Sequence, residues 1–211
     1  MTTRPALAFF LLLAWPVLGS TADKPYTITL WSDVSFGTDG GVAQSTLVKE
    51  NEYPAKFAEA VKAKITAMRI APPQQDGKPA ALRSGVRLSY LVTPSASGGT
   101  VSLQETLLAP LPIREVYAAY PKSLNREDSW QGRIDIRCEI DTAGQCLNPV
   151  MSTDNGSLPE DARRFAKDSI TKWKFAPQTL NGQAIPGEFR MSIDIVPNPR
   201  QIEDFRDPRK L

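Results

Sequence analysis

The amino-acid sequence predicts an α+β protein of two small tandem domains, each a β-hairpin, one helix and a closing strand that forms a small antiparallel sheet packed on the helix. Three observations carry this expectation. Apolar and charged residues alternate from Gly132 to Ile140, apolar residues recur at helical spacing from Leu158 to Trp173, and the same order of signals occurs 104 to 105 positions earlier. With 211 residues, 23% charged and 41% apolar, the composition is that of a globular chain able to bury a core.

In the second half, Ile134, Ile136, Cys138 and Ile140 share one strand face, and Arg133, Asp135, Arg137 and Glu139 share the other. "DTAG", Asp141 to Gly144, has turn chemistry, and Cys146 to Met151 can return as the hairpin partner. Ser157 and Glu160 have capping-box spacing, and Pro159 suits a first helical turn. The helix so opened presents Leu158, Ala162, Phe165, Ile170 and Trp173, and is expected to stop before Pro177. "LNGQ", Leu180 to Gln183, then turns the chain into a last strand in which Phe189, Met191, Ile193 and Ile195 alternate with Arg190, Ser192 and Asp194. Phe165, Ile170, Trp173 and Phe175 are the expected core of this half.

The first half repeats the order. Ile28, Leu30, Val34 and Phe36 share a strand parity, "GTDGG" (Gly37 to Gly41) stands for "DTAGQ", and a helix from about Pro54 to Met68 presents Phe57, Val61, Ile65 and Met68. "DGKP", Asp76 to Pro79, stands for "NGQA", and Val86, Leu88, Tyr90 and Val92 close the unit. "MRIAP" at Met68 thus echoes "WKFAP" at Trp173. Thr100 to Leu108 is expected to add a strand beside Val86 to Val92, and "APLP", Ala109 to Pro112, marks the expected boundary because prolines interrupt a ladder.

The N-terminus has the form of an export signal: Arg4, an apolar run from Ala6 to Leu18, then small residues with cleavage after Gly19 or Ala22. The alternative is an uncleaved anchor, but Ala6 to Gly19 as a helix spans about 21 Å, short of a hydrocarbon core of about 30 Å. The expected layout is a signal over 1–22, a first domain over 23–108, a linker over 109–129, a second domain over 130–197 and a polar tail over 198–211. Export permits Cys138 and Cys146 to pair as a disulfide across the turn; two free thiols are the alternative.

Losing Arg4 with the signal takes the formal charge from +2 to +1, and with signs mixed along the chain nothing indicates a nucleic-acid surface. The chain has no histidine, which removes Ser-His and Cys-His nucleophile pairs and the usual zinc and iron sites. No phosphate-binding glycine loop and no Gly-x-Ser-x-Gly elbow is present. The expectation is a protein that is not an enzyme and has no catalytic residues, metal, cofactor or small-molecule substrate. Trp173, in step with Phe165 and Ile170, reads as packing rather than ligand stacking. Sheet edges remain: the final strand, Glu188 to Val196, has no following strand to cover it, whereas Thr100 to Leu108 can cover the matching edge of the first half. One copy is therefore expected to bind and the other to be structural.

"YPKSL" (Tyr120 to Leu124), "GRIDIRCEIDTAGQ" (Gly132 to Gln145), "WKFAP" (Trp173 to Pro177) and "NGQ" (Asn181 to Gln183) resemble the C-terminal domain of TonB energy transducers over about 112–197, and more weakly over 26–92. The resemblance implies a periplasmic domain that grips the N-terminal peptide of an outer-membrane transporter by adding a strand. The backbone would come from Phe189, Arg190, Met191, Ser192, Ile193, Asp194 and Ile195, and Tyr120 and Pro121 match the family's Tyr-Pro opening. Tyr117, Ala118 and Ala119 do not reproduce the Gln-Pro-Gln that precedes it in the best-studied members of that family. Family transducers also carry a membrane helix with a functional Ser and His and a Pro-rich spacer, neither of which is matched here. A second expectation is a structural or envelope-assembly module similar to TolA-type domains, its edges pairing with another envelope protein or in a homodimer. Periplasmic location is expected, with an inner-membrane anchor facing the periplasm as the alternative.

Overall fold

Alternating burial organises both halves into sheets backed by a helix. The computed structural model describes residues 25–95 and 98–196; the expected signal and polar tail lie outside them. In the first half β1 (Tyr26–Phe36) and β2 (Val42–Leu47) form a hairpin, followed by α1 (Ala55–Thr66), the short pair β3 (Gln74–Gln75) and β4 (Lys78–Pro79), then β5 (Leu82–Ser95) and β6 (Gly98–Ala109). In the second half β7 (Leu111–Arg114) precedes the hairpin β8 (Gly132–Ile140) and β9 (Cys146–Ser152). After α2 (Glu160–Ile170) come β10 (Lys174–Ala176), β11 (Gln178–Leu180), β12 (Gln183–Ile185) and β13 (Gly187–Ile195).

The fold is α+β with antiparallel sheets. In the first half β1 lies between β2 and β5, and in the second β8 lies between β9 and β13. β1 pairs with β5 from Tyr26↔Val92 to Phe36↔Leu82, and β8 with β13 from Gly132↔Ile195 to Ile140↔Gly187. Each sheet buries one parity under its helix. Leu30, Val34, Phe36, Val86 and Leu88 pack with Val61 and Ile65 of α1; Ile134, Ile136, Ile140, Phe189 and Ile195 pack with Phe165 and Ile170 of α2. Among the described residues no helix is long and apolar enough to cross a membrane.

Both hairpin turns end on a left-handed glycine that lies under the segment leaving the helix. The Gly40 carbonyl accepts from Ile70 N–H at 3.0 Å and the Gly144 carbonyl from Phe175 N–H at 3.1 Å. This crossing is the physical content of the "MRIAP" and "WKFAP" echo. It presses the backbone so close that a Cβ would stand 2.1 Å from the Ile70 oxygen or 2.0 Å from the Phe175 oxygen.

Three local features differ from the sequence expectation. The capping box does not form: α2 begins after an extended Pro159 with no side-chain cap, and Glu160 and Asp161 supply negative charge in its first turn. α2 ends at Ile170, so Trp173 belongs to the exit segment rather than to the helix face. "APLP" ends the β5–β6 ladder at Ala109, but the chain returns to strand directly after Pro110, where β7 joins β10 with Pro112 opposite Phe175. Proline is accommodated at that register irregularity, where no regular ladder donor is required.

The halves also share structure. β5 uses one edge for β1 and the other for β6, and where β6 departs β11 continues on that edge through Arg83↔Thr179 and Leu82↔Leu180. The Asp76-Gly77 and Asn181-Gly182 turns, all four residues at positive φ, meet side by side. Asn181 Nδ2 donates to Gln75 Oε1 at 2.9 Å, and Ala81 N–H donates to Asn181 Oδ1 at 2.9 Å.

Candidate functional site

β13 is the last described strand, and among the described strands β8 alone pairs with it. Its inward side chains anchor it: Phe189 and Ile195 are 1% exposed and Ile193 4%, while Met191 is half-buried. Phe189 lies in an aromatic cluster with Phe175 at 4.6 Å and Trp173 at 6.1 Å between ring centroids. Trp173, Phe175, Phe165 and Ile170 are each buried, so the strand rests on an apolar floor. Beneath it Cys138 and Cys146 form a disulfide that ties β8 to β9, with Cα atoms 5.7 Å apart.

The outward side chains lie on a face of paired charges. Arg133 donates to Asp194, Nε to Oδ1 at 2.9 Å, Ser192 Oγ donates to Asp135 Oδ1 at 2.6 Å, and Arg190 pairs with Glu188. The hydrogen bond to Asp194 raises the pKa of Arg133, and the bond from Arg190 holds Glu188 below the usual carboxylate range. These pairs leave little unbalanced charge on that face.

The direction of the backbone follows from one contact. Arg87, on β5, donates from a terminal nitrogen to the Arg190 carbonyl at 2.5 Å. That carbonyl therefore points away from β8, and because strand residues alternate, so do the N–H and C=O groups of Ser192 and Asp194. At the far end the Tyr120 hydroxyl donates to the Val196 carbonyl at 2.9 Å. Burial pushes the Tyr120 hydroxyl pKa up, against the opposing effect of that bond, so it stays protonated and able to donate. Tyr120 packs edge-on against Phe165 at 5.3 Å, and Pro121 leads into the turn Lys122–Leu124, whose Leu124 is buried. Tyr120 and β13 are thus brought together; Pro121 is one residue removed.

Arg87 and Trp31 are participants the sequence reading missed. They face each other in the β1–β5 register, on the side of that sheet away from α1, and Trp31 stacks on Phe189 at 5.9 Å and 16°. Arg87 is also held by Glu105 of β6 at 2.7 Å and its side chain is 14% exposed. The available signal was Trp31 itself, a large apolar residue on the parity opposite to Ile28, Leu30, Val34 and Phe36.

Among the described residues no group of three or more His, Cys, Asp or Glu side chains could hold a metal ion. No family model matches the chain and no solved structure matches it. The chain is similar to Protein TonB of Xanthomonas campestris pv. campestris, strain B100 and strain ATCC 33913, each 32% identical over 68 residues. That alignment covers 32% of this chain and 30% of each relative, and it supports a TonB-like relationship.

Proposed function

We propose that this chain is a TonB-like, non-enzymatic protein of the bacterial envelope that binds an extended peptide or protein partner by adding a strand to β13. One observation carries the reading. β5 and β13 occupy corresponding places in their sheets, and β5 has β6 along its second edge, whereas no described strand pairs with the second edge of β13. An edge strand with aligned, unpaired N–H and C=O groups is a template for main-chain pairing. The similarity to Protein TonB and the motifs around Tyr120 and Trp173 favour the N-terminal peptide of an outer-membrane transporter as the partner, met in the periplasm.

The test uses the parity of Ser192. Ser192→Pro removes an outward donor without taking a hydrogen bond from β8, while Met191→Pro removes an inward one and should disrupt the sheet. Titrating the full chain with such a transporter peptide should shift the Ser192 and Asp194 amides, and Ser192→Pro should abolish binding while Ser192→Ala retains it. Equal affinity of wild type and Ser192→Pro would falsify strand addition at β13. A stable dimer in light scattering that ignores peptides would instead support pairing between copies, as in a TolA-like assembly module.

A further inference from the structure

Two carbonyls on the edge of β13 away from β8 are already taken, that of Arg190 within the strand and that of Val196 directly after it. Arg87 of the first half holds Arg190, and Tyr120 holds Val196. We infer that Arg87 and Tyr120 are stops that set the length and register of what β13 accepts, so that this surface takes a short extended segment centred on Ser192 and Asp194 rather than a long strand. The inference rests on the strand-addition reading above and goes beyond it by naming the form of the partner.

From Arg190 to Val196 a strand rises about 20 Å at roughly 3.3 Å per residue. Between the stops the N–H and C=O groups of Ser192 and Asp194 point outward, enough for a ladder with about five residues of an incoming chain. The Arg87 stop is firm for a physical reason. Its side chain is 14% exposed, it is held by Glu105 as well as Arg190, and its Nε is buried without a partner. Displacing it from Arg190 would leave a second buried N–H of the same guanidinium unsatisfied. The matching edge of β5 has no such limits, since β6 runs along it from Gly85↔Ala109 to Ser95↔Gly98. The residue equivalent to Arg87 by the internal offset of 105 is Ser192, whose hydroxyl bonds Asp135 within its own sheet, whereas Arg87 reaches from β5 to β13.

The test is a length series of synthetic peptides cut from Thr100–Leu108, the sequence this chain lays along the matching edge of β5. Binding to the full chain is followed by calorimetry and by the amide shifts of Ser192 and Asp194. In the wild type, affinity should rise up to about five residues and then level off. In Arg87→Leu, which keeps an apolar stem, and in Tyr120→Phe, which removes one hydroxyl, the longer peptides should gain about three- to tenfold, the value of one released acceptor. Tyr120→Phe is conservative enough to fold should Arg87→Leu not. Wild-type affinity that climbs through the full segment, unchanged in both variants, overturns the stops and leaves strand addition standing. If no peptide shifts Ser192 or Asp194 in wild type or variants, strand addition fails and the stops with it.

Discussion

Gly144 sits at φ +75° with the Phe175 carbonyl directly over the place a side chain would occupy, 2.0 Å from an added Cβ. Both the positive φ and the close approach require glycine. Gly144→Ala should therefore destabilise the chain by about 3 kcal/mol or more, the sum of a strained backbone and a forced shift of the crossing segment, read as a lowered urea midpoint at unchanged slope. The sequence placed this glycine in a turn. It could not say that Phe175 passes above it, because that contact joins positions 31 residues apart. Exposed carboxylates give a second prediction. Asp39 is held below its ordinary range by the Gly41 N–H, Asp128 by Arg126, Asp161 by Ser123 and Glu188 by Arg190. A carboxylate depressed in the folded state adds stability that is present above its unfolded pKa and is lost as pH falls through the folded one. Urea midpoints should thus be level from neutral pH to about 5 and decline below about 4; with no histidine in the chain, a step between pH 6 and 7 would contradict this account.

Among the elements, the β8–β9 hairpin carries the clearest consequence. The Cys138–Cys146 disulfide closes a loop of sequence separation 8 beside a register shift between Arg137 and Glu139 and a left-handed Asn148. A ring this small contributes about 2 to 3 kcal/mol by restricting the unfolded chain. Reduction should lower Tm by about 4–12 °C for a chain of this size, and scanning calorimetry with and without reductant measures it. Strand identity was legible for the long strands, since Ile134 to Ile140 and Phe189 to Ile195 alternate without a break, but not for the short ones, β3, β4, β7 and β10 to β12. Helix boundaries were less so. Ser157 and Glu160 have the spacing of a capping box, yet the extended Pro159 starts the helix later and leaves Ser157 outside it. The pairing of β7 with β10 was hidden because Pro110 and Pro112 read locally as a break, and only the partner's position shows that pairing resumes after Pro110 and includes Pro112.

At the scale of the molecule the halves are joined by a shared sheet and by a ring stack. β11 and β12 extend the edge of β5, and Trp31 of the first half packs into the core of the second against Phe189. The expected outcome is a single cooperative unfolding transition, with calorimetric and van't Hoff enthalpies equal. Trp31→Ala should cost about 2 kcal/mol, since the ring is half-buried and stacked; two resolved transitions in the wild type would show the halves to be independent. What the sequence by itself determined is local: the parity of each strand, the apolar face of each helix, the Asp-Gly and Asn-Gly turns, and the order in which these signals recur. Those features are set by steric and hydrophobic preferences that act over a few residues. The tertiary structure alone decided which carbonyls along the edge of β13 away from β8 are already held, because the groups that hold them, Arg87 and Tyr120, lie 103 and 76 residues from those carbonyls. A hydrogen bond across such a separation depends on how two sheets pack, and no pattern of neighbouring residues encodes it.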